Sequence, residues 1–169
     1  MTFSVPNLAG GSPGPSGPVG PVGTGVYGDM LAVFVFSGVT QAFTAGVPQK
    51  IVSFGTNGLS VGVTPDEAND RLVITEDGDY EVYWQQTYTL VAGAGFTFDF
   101  IEMRINGTPA PEASLTQFEG PIASFFVCAS AGGILSLSAG DVLEIYAQTS
   151  AGATVTWRDA QLFAWKARS

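Results

Sequence analysis

The sequence predicts an all-β protein, either a sandwich or a barrel of short strands, on three observations. Segments rich in β-branched and aromatic residues follow one another from about residue 29 to residue 167. Turn signals such as EDGD, AGAG, NGT and AGG separate these segments at short intervals. No segment keeps a helical period of apolar residues over eleven positions. This combination is typical of sandwiches and barrels.

The chain begins with two segments that do not belong to this pattern. Residues 1–10 predict a short anchoring arm, in which Phe3, Val5 and Leu8 are apolar and would order on a larger particle. A frayed terminus is the alternative. Residues 11–25 form a collagen-like stalk with glycine at every third place, namely Gly11, Gly14, Gly17, Gly20 and Gly23. Only glycine fits at the axis of a triple helix, so this repeat predicts three copies of the chain; a flexible Pro/Gly linker is the alternative.

Residues 26–169 then form the head. The predicted strands are 31–38, 50–55, 71–75, 80–91, 96–105, 121–130, 142–149 and 154–167. In 80–91 the alternate residues Tyr80, Val82, Trp84, Tyr88 and Leu90 share a buried face that only Gln86 interrupts. In 96–105 the apolar parity switches between Phe100 and Ile101, which predicts a β-bulge at that step.

Two segments, 31–36 and 122–129, are apolar on both faces. One face of an antiparallel sandwich normally meets water, so the second face of these strands requires a neighbouring subunit. Tyr83 lies opposite the buried face of its own strand. We therefore predict a trimer interface containing Phe34, Tyr83, Phe125 and Val127. The low share of charged residues, 12%, agrees with surface buried between subunits.

The composition argues against catalysis. The chain has no histidine, which excludes a Ser-His-Asp triad, a Cys-His pair and a histidine zinc site, and it lacks a phosphate-binding GxxxxGK loop. We therefore predict that it is not an enzyme. Its one cysteine, Cys128, lies in the apolar run SFFVCAS and is predicted to be a small buried hydrophobe.

Charge and hydropathy also limit the partners. The net charge of −9 is opposite to what nucleic-acid binding requires. The longest uncharged run, 120–140, contains serines, a Gly-Gly pair and a proline, so it predicts a strand and a turn instead of a membrane span. We predict neither nucleic-acid binding nor membrane insertion.

Two further ligands come into question. The cluster PDEANDR contains Asp66 and Asp70, whose carboxylates could hold calcium, although a plain turn before a strand explains it equally well. No other cofactor is predicted. The tryptophans and tyrosines, including Trp84, Trp157 and Tyr146, could form a sugar-binding platform, but aromatic residues in strands are more often core.

Three motifs carry a resemblance to a known architecture. GDYEV (78–82) resembles a Gly-x-Tyr strand start, RING (104–107) an Asn-Gly turn, and ASAGGILSLSAGDVLEIYA (129–147) a Leu-x-Leu-x-x-Gly-Asp-x-Val-x-Leu segment. With the stalk, residues 28–167 resemble the trimeric heads of complement component 1q and the tumour necrosis factor superfamily. The resemblance implies a ten-stranded jelly roll and a homotrimer, and it implies no particular ligand.

The arrangement of arm, short stalk and head also resembles collagen-containing fibre and decoration proteins of tailed bacteriophages. That resemblance implies a structural virion protein on the virion surface, bound through residues 1–10 to a capsid or tail protein. Spore-surface filament proteins of bacilli share the layout, usually with a longer collagen region. The alternative is therefore a receptor- or glycan-binding head, on a tail fibre or on a bacterial spore or cell surface, with a host-surface glycan or protein as partner.

Overall fold

The computed structural model describes residues 27–32, 39–61, 63–92, 97–119 and 126–167. Over these residues the chain is all-β, as predicted, with twelve strands and a single 3-10 turn, Glu67–Asn69. The strands are β1 Tyr27–Ala32, β2 Thr40–Phe43, β3 Gln49–Lys50, β4 Thr56–Val61, β5 Val63–Asp66, β6 Arg71–Ile74, β7 Gly78–Ala92, β8 Thr97–Ile105, β9 Thr108–Glu119, β10 Phe126–Leu137, β11 Val142–Thr149 and β12 Ala153–Lys166.

The strands form two antiparallel sheets. The first sheet has the order β10-β7-β12-β1-β4, with β2 also paired to β12. The second has the order β5-β6-β11-β8-β9, with β3 also paired to β11. Each sheet contributes large apolar side chains to one continuous core, so the two layers form a sandwich.

The central strand β7 confirms the predicted alternation. Tyr80, Val82, Trp84 and Tyr88 have no exposed surface, while Tyr83 on the opposite face is half-buried. The side chain of Leu90 is not among those described. Gln86 is also fully buried, and its Oε1 accepts a hydrogen bond from Ser53 Oγ at 3.2 Å.

An aromatic cluster fills the core behind this strand. The ring of Tyr88 meets Phe98 and Trp157 edge to face, with centroids 5.1 Å and 5.5 Å apart. Phe43 contacts the same Phe98 and Trp157 at 6.0 Å. Edge-to-face contacts at these distances are favourable because the ring edge is positive and the face negative.

The β-bulge predicted in β8 is confirmed, but it lies at Asp99 and not between Phe100 and Ile101. Gln148 pairs with Phe100 and the next residue, Thr149, pairs with Phe98, so Asp99 is the extra residue of a bulge. Phe98 and Ile101 are consequently both buried, although they are three residues apart.

Strand β9 is the largest element that the sequence pattern missed. It contains Pro109 and Pro111 and few β-branched residues, which is why the pattern did not predict a strand. β9 is an edge strand, where a missing N–H is tolerated, and a hairpin turn places it beside β8. Asn106 and Gly107 both have positive φ, 51° and 81°, as the predicted Asn-Gly hairpin turn requires.

Other strand boundaries also differ from the prediction. The segment predicted at 50–55 is strand only at its start, in β3, and the short polar strands β2, β4 and β5 were not predicted. β1 begins at residue 27 instead of 31, and residues 33–38 lie outside the described residues. β10 does not end at AGG as predicted but continues to Leu137.

The glycines inside β10 allow neighbouring strands to approach closely. A Cβ on Gly132 would lie 2.6 Å from the carbonyl oxygen of Val82 in β7. A Cβ on Gly133 would lie 3.0 Å from the carbonyl oxygen of Glu112 in β9, which belongs to the other sheet. The Gly-Gly pair is therefore a packing requirement and not a turn.

The prediction for Cys128 is wrong in the single chain, where its side chain is exposed. Side chains of β10 alternate, and Ala129 takes the buried position against the core. Cys128 therefore lies on the outer surface of the first sheet.

Candidate assembly interface

The outer surface of the first sheet carries a group of apolar side chains, Tyr83, Ile134 and Phe163, which we call the apolar row. Tyr83 lies opposite Gly132 of β10 on one side and opposite Phe163 of β12 on the other. Ile134 lies two residues further along β10, directly opposite Glu81 of β7, and is 69% exposed. Three adjacent strands thus contribute to one outward surface.

Gly132 makes this surface flat beside the tyrosine. A Cβ at Gly132 would lie 3.2 Å from Cδ2 of Tyr83, so the aromatic ring lies against the bare backbone of β10. The Tyr83 hydroxyl donates to Gln85 Oε1 at 3.0 Å on the same face. A flat surface with an exposed Ile and aromatic residues is typical of a protein–protein contact.

The predicted interface residues occupy different places. Tyr83 lies on the outer face, as its parity predicted. Val127 is half-buried and packs against the core from the edge strand, since it shares the inward parity of Ala129. Phe34 and Phe125 lie outside the described residues. The arm residues Phe3, Val5 and Leu8 lie outside them too, as do the five stalk glycines. The composition of the interface stays a prediction.

Both candidate calcium ligands are engaged by the protein itself. Asp66 accepts hydrogen bonds from Asn69 Nδ2, at 2.9 Å to Oδ2, and from Arg71 Nε at 2.7 Å. These bonds lower the pKa of the Asp66 carboxyl. Asp70 Oδ1 accepts from the backbone N–H of Phe54 at 3.1 Å, and burial raises the pKa of Asp70. Among the described residues, no three or more acidic, cysteine or histidine side chains gather as a metal site would require.

These opposite pKa shifts predict opposite effects of pH. In the folded chain Asp70 holds its proton more tightly than in the unfolded chain, so its contribution to stability falls as pH rises through the raised pKa. We expect Asp70→Asn to be at least as stable as the parent near neutral pH, because the amide oxygen can still accept a hydrogen bond from the backbone N–H of Phe54. We also expect the fall in the free energy of unfolding with rising pH to become smaller, because the amide does not titrate. Urea unfolding between about pH 4 and pH 7 measures the change.

Asp66→Asn is the matched control for this prediction. The pKa of Asp66 is lowered from 3.8, so its contribution to stability is complete above about pH 4 and is lost only below that pH. Asp66→Asn should therefore be less stable than the parent by a nearly constant amount between about pH 4 and pH 7. Equal pH profiles for the two variants would contradict the assignment.

A second outward cluster, on the second sheet, was not predicted. The guanidinium of Arg104 lies 4.4 Å from the ring centroid of Tyr146 and 6.0 Å from that of Phe100. Its Nη2 is 2.7 Å from Oε1 of Glu102. Stacking and ion pairing hold this cluster in one arrangement. The bulge at Asp99 gives Phe100 its outward position, and no local sequence signal marks that contact.

The other candidate sugar-binding aromatics divide by face. Trp84 and Trp157 are core residues, whereas Trp165 is 48% exposed at the end of β12. Its ring meets Phe163 edge to face at 6.4 Å.

No helix in the described part of the chain has the length and hydropathy to cross a bilayer.

The fold is the jelly-roll sandwich of the complement component 1q and tumour necrosis factor type. The structure of Eiger, a tumour necrosis factor from S. frugiperda, is similar with a TM-score of 0.55 and 13% identity, over 86% of this chain and 94% of that one. The globular domain of a zebrafish complement 1qA protein has a TM-score of 0.52 and 15% identity, over 83% and 94%. Comparison with protein-family models and with characterised sequences finds no match. At such identities the likeness shows the fold.

Proposed function

We propose that this chain is a structural protein of a bacteriophage virion, a homotrimeric capsid decoration or head-fibre protein without enzymatic activity. Residues 1–10 bind it to a capsid or tail protein, residues 11–25 form a short collagen-like spacer, and the jelly-roll head is displayed outward. The head stabilises the particle or adheres to a surface. In this arrangement the protein resides on the virion surface.

The observation that carries the proposal is the apolar row of Tyr83, Ile134 and Phe163. An isoleucine that is 69% exposed beside aromatic residues is unfavourable in water, and burial against another copy removes this cost. The row lies on the sheet that contains β1, the first described strand after the collagen-like repeat. A repeat that requires three chains and a head face that requires a partner therefore support the same assembly.

The second sheet favours a second candidate function, a receptor- or glycan-binding head on a tail fibre or on a bacterial surface. Tyr146 and Phe100 flank the guanidinium of Arg104, and Glu102 pairs with it. Rigid aromatic and arginine side chains are typical of binding hot spots. Glycan-array binding by the full-length chain that is lost in Tyr146→Ala would favour this candidate.

The anchoring role of residues 1–10 is tested in assembled particles. We expect that replacement of Phe3, Val5 and Leu8 by serine leaves the number of chains in the soluble assembly unchanged. The same replacement should abolish incorporation into virions, because burial of apolar side chains supplies the free energy of docking. The matched control replaces Thr2, Ser4 and Asn7 by alanine, and it should incorporate normally. Quantitative gel analysis of purified particles measures incorporation. Full incorporation of the serine variant would refute the anchor.

A further inference from the structure

A cleft at one end of the first sheet has no assigned role. Its volume is about 330 Å³, and it is lined by Glu81, Trp165, Lys166 and Ala167. Trp165 is 48% exposed, and its edge-to-face contact with Phe163 orients the ring. The cleft thus presents an oriented, half-exposed indole.

The wall of the cleft is held in place by further contacts. Lys166 Nζ is 3.1 Å from Glu76 Oε2. The aliphatic part of Lys166 covers Gly78, where an added Cβ would lie 2.5 Å from Cε. The backbone N–H of Ala167 donates to the carbonyl of Asp79 at 2.7 Å. The lysine charge is therefore already paired, and the carboxylate of Glu81, which also lines the cleft, is exposed to water. The apolar contact that the cleft offers a ligand is the indole of Trp165.

β1, the first described strand after the collagen-like repeat, begins beside this cleft. β1 begins at Tyr27 and runs antiparallel to β12, with Asp29 opposite Phe163. The same register continued by two residues places Tyr27 beside Trp165. Pro21 precedes Tyr27 by six residues, a reach of up to about 19 Å in extended polyproline conformation.

The chemistry of residues 18–23, PVGPVG, matches the cleft. The segment has no charge, and its prolines at 18 and 21 form a P-x-x-P pattern. Such segments dock in aromatic-lined grooves at low entropic cost, because proline restricts the unbound chain. Gly25 breaks the phase of the repeat, and a glycine permits backbone conformations that other residues rarely adopt.

We propose that the Trp165 cleft is the seat of residues 18–23 of the same chain, with Pro18 and Pro21 packed against the indole. The contact clamps the last triplets of the repeat to the head. The junction is then stiff, and the head keeps a defined direction relative to the stalk. This inference does not depend on the virion role, but it shares residues 18–23 with the proposed spacer, and Trp165 touches Phe163 of the apolar row, so the mass of the assembly is measured alongside it.

Acrylamide quenching of tryptophan fluorescence in the full-length protein tests the seat. Trp84 and Trp157 are buried, so Trp165 dominates the quenched signal, and Trp165→Phe gives the background. We expect the double variant Pro18→Ser/Pro21→Ser to raise the quenching constant about twofold, because a seated ligand covers most of the surface it contacts. The matched control, Pro13→Ser/Pro15→Ser, removes two prolines of the repeat but leaves PVGPVG intact, and it should quench like the parent.

Equal quenching in the parent and both serine pairs would overturn the proposal. If quenching in all three proteins instead rises on dilution, together with a fall in mass by light scattering, a second copy covers Trp165, and the seat is again refuted. Thermal unfolding of each variant confirms that the head is folded. Because mass is recorded on the same samples, failure of the trimer and failure of the seat are distinguishable.

Discussion

Ile134→Asp is expected to convert an assembly of about three chains into single chains. Burying Ile134 contributes about 1.5–3 kcal/mol per copy, and a symmetric trimer contains the substitution three times. The new aspartates would also be buried in the interface without a partner. Light scattering or sedimentation equilibrium measures the mass. The side chain is already 69% exposed in the single chain, so the head should still fold, at the modest cost of two carboxylates facing each other, since position 134 lies directly opposite Glu81.

The control for this variant is Val47→Asp. Val47 is another exposed apolar residue, at 45%, but it lies in the turn between β2 and β3, away from the apolar row. The Val47→Asp variant should therefore form an assembly with the same number of chains as the parent. A monomeric parent would contradict the whole assembly proposal. Loss of the trimer only in the Val47 variant would show that another surface forms the interface.

Trp84→Ala is expected to have the largest effect on stability. Trp84 is fully buried, and its Nε1 donates to the carbonyl oxygen of Ala113 at 2.8 Å, joining β7 of the first sheet to β9 of the second. Truncating a buried tryptophan costs about 3–5 kcal/mol, and the carbonyl of Ala113 would also lose its partner. The free energy of unfolding in urea, at fixed protein concentration, measures the loss.

Trp165→Ala is the matched control, the same substitution at a half-exposed site of the same fold. Its loss should stay within about 1 kcal/mol, since little packing is removed. Similar losses for both variants would contradict the assignment of Trp84 as the link between the sheets.

Local alternation predicted the parts of the fold in which one strand face is buried. β7 shows this best, since Trp84 and Tyr83 lie on the two faces that their positions indicated. The Asn106-Gly107 turn and the bulge in β8 were also foreseeable, because backbone conformation and side-chain parity are recorded in neighbouring residues. The trimer and the collagen-like assembly remain predictions.

Alternation and turn motifs could not predict features that depend on contacts with other strands. β9 is a strand because β8 lies beside it, in spite of Pro109 and Pro111. Gly132 and Gly133 resemble a turn in sequence, yet they lie within β10 because Val82 and Glu112 approach them. Cys128 is exposed because Ala129 faces the core. For the two glycines, the deciding neighbours belong to β7 and β9; β9 itself depends on the hairpin turn after β8, and Cys128 on which face of β10 packs against the core.

The sequence by itself determined the β class, the alternation of the central strand, the glycine at every third place from residue 11 to residue 23, and the absence of histidine. Each of these depends on residue type and short-range spacing, which are local properties. Only the tertiary structure decided that Tyr83, Ile134 and Phe163 form one outward surface, and that Trp165 lies beside the start of β1. The physical reason is that strand register joins residues 49 to 134 positions apart, and no local period encodes that pairing.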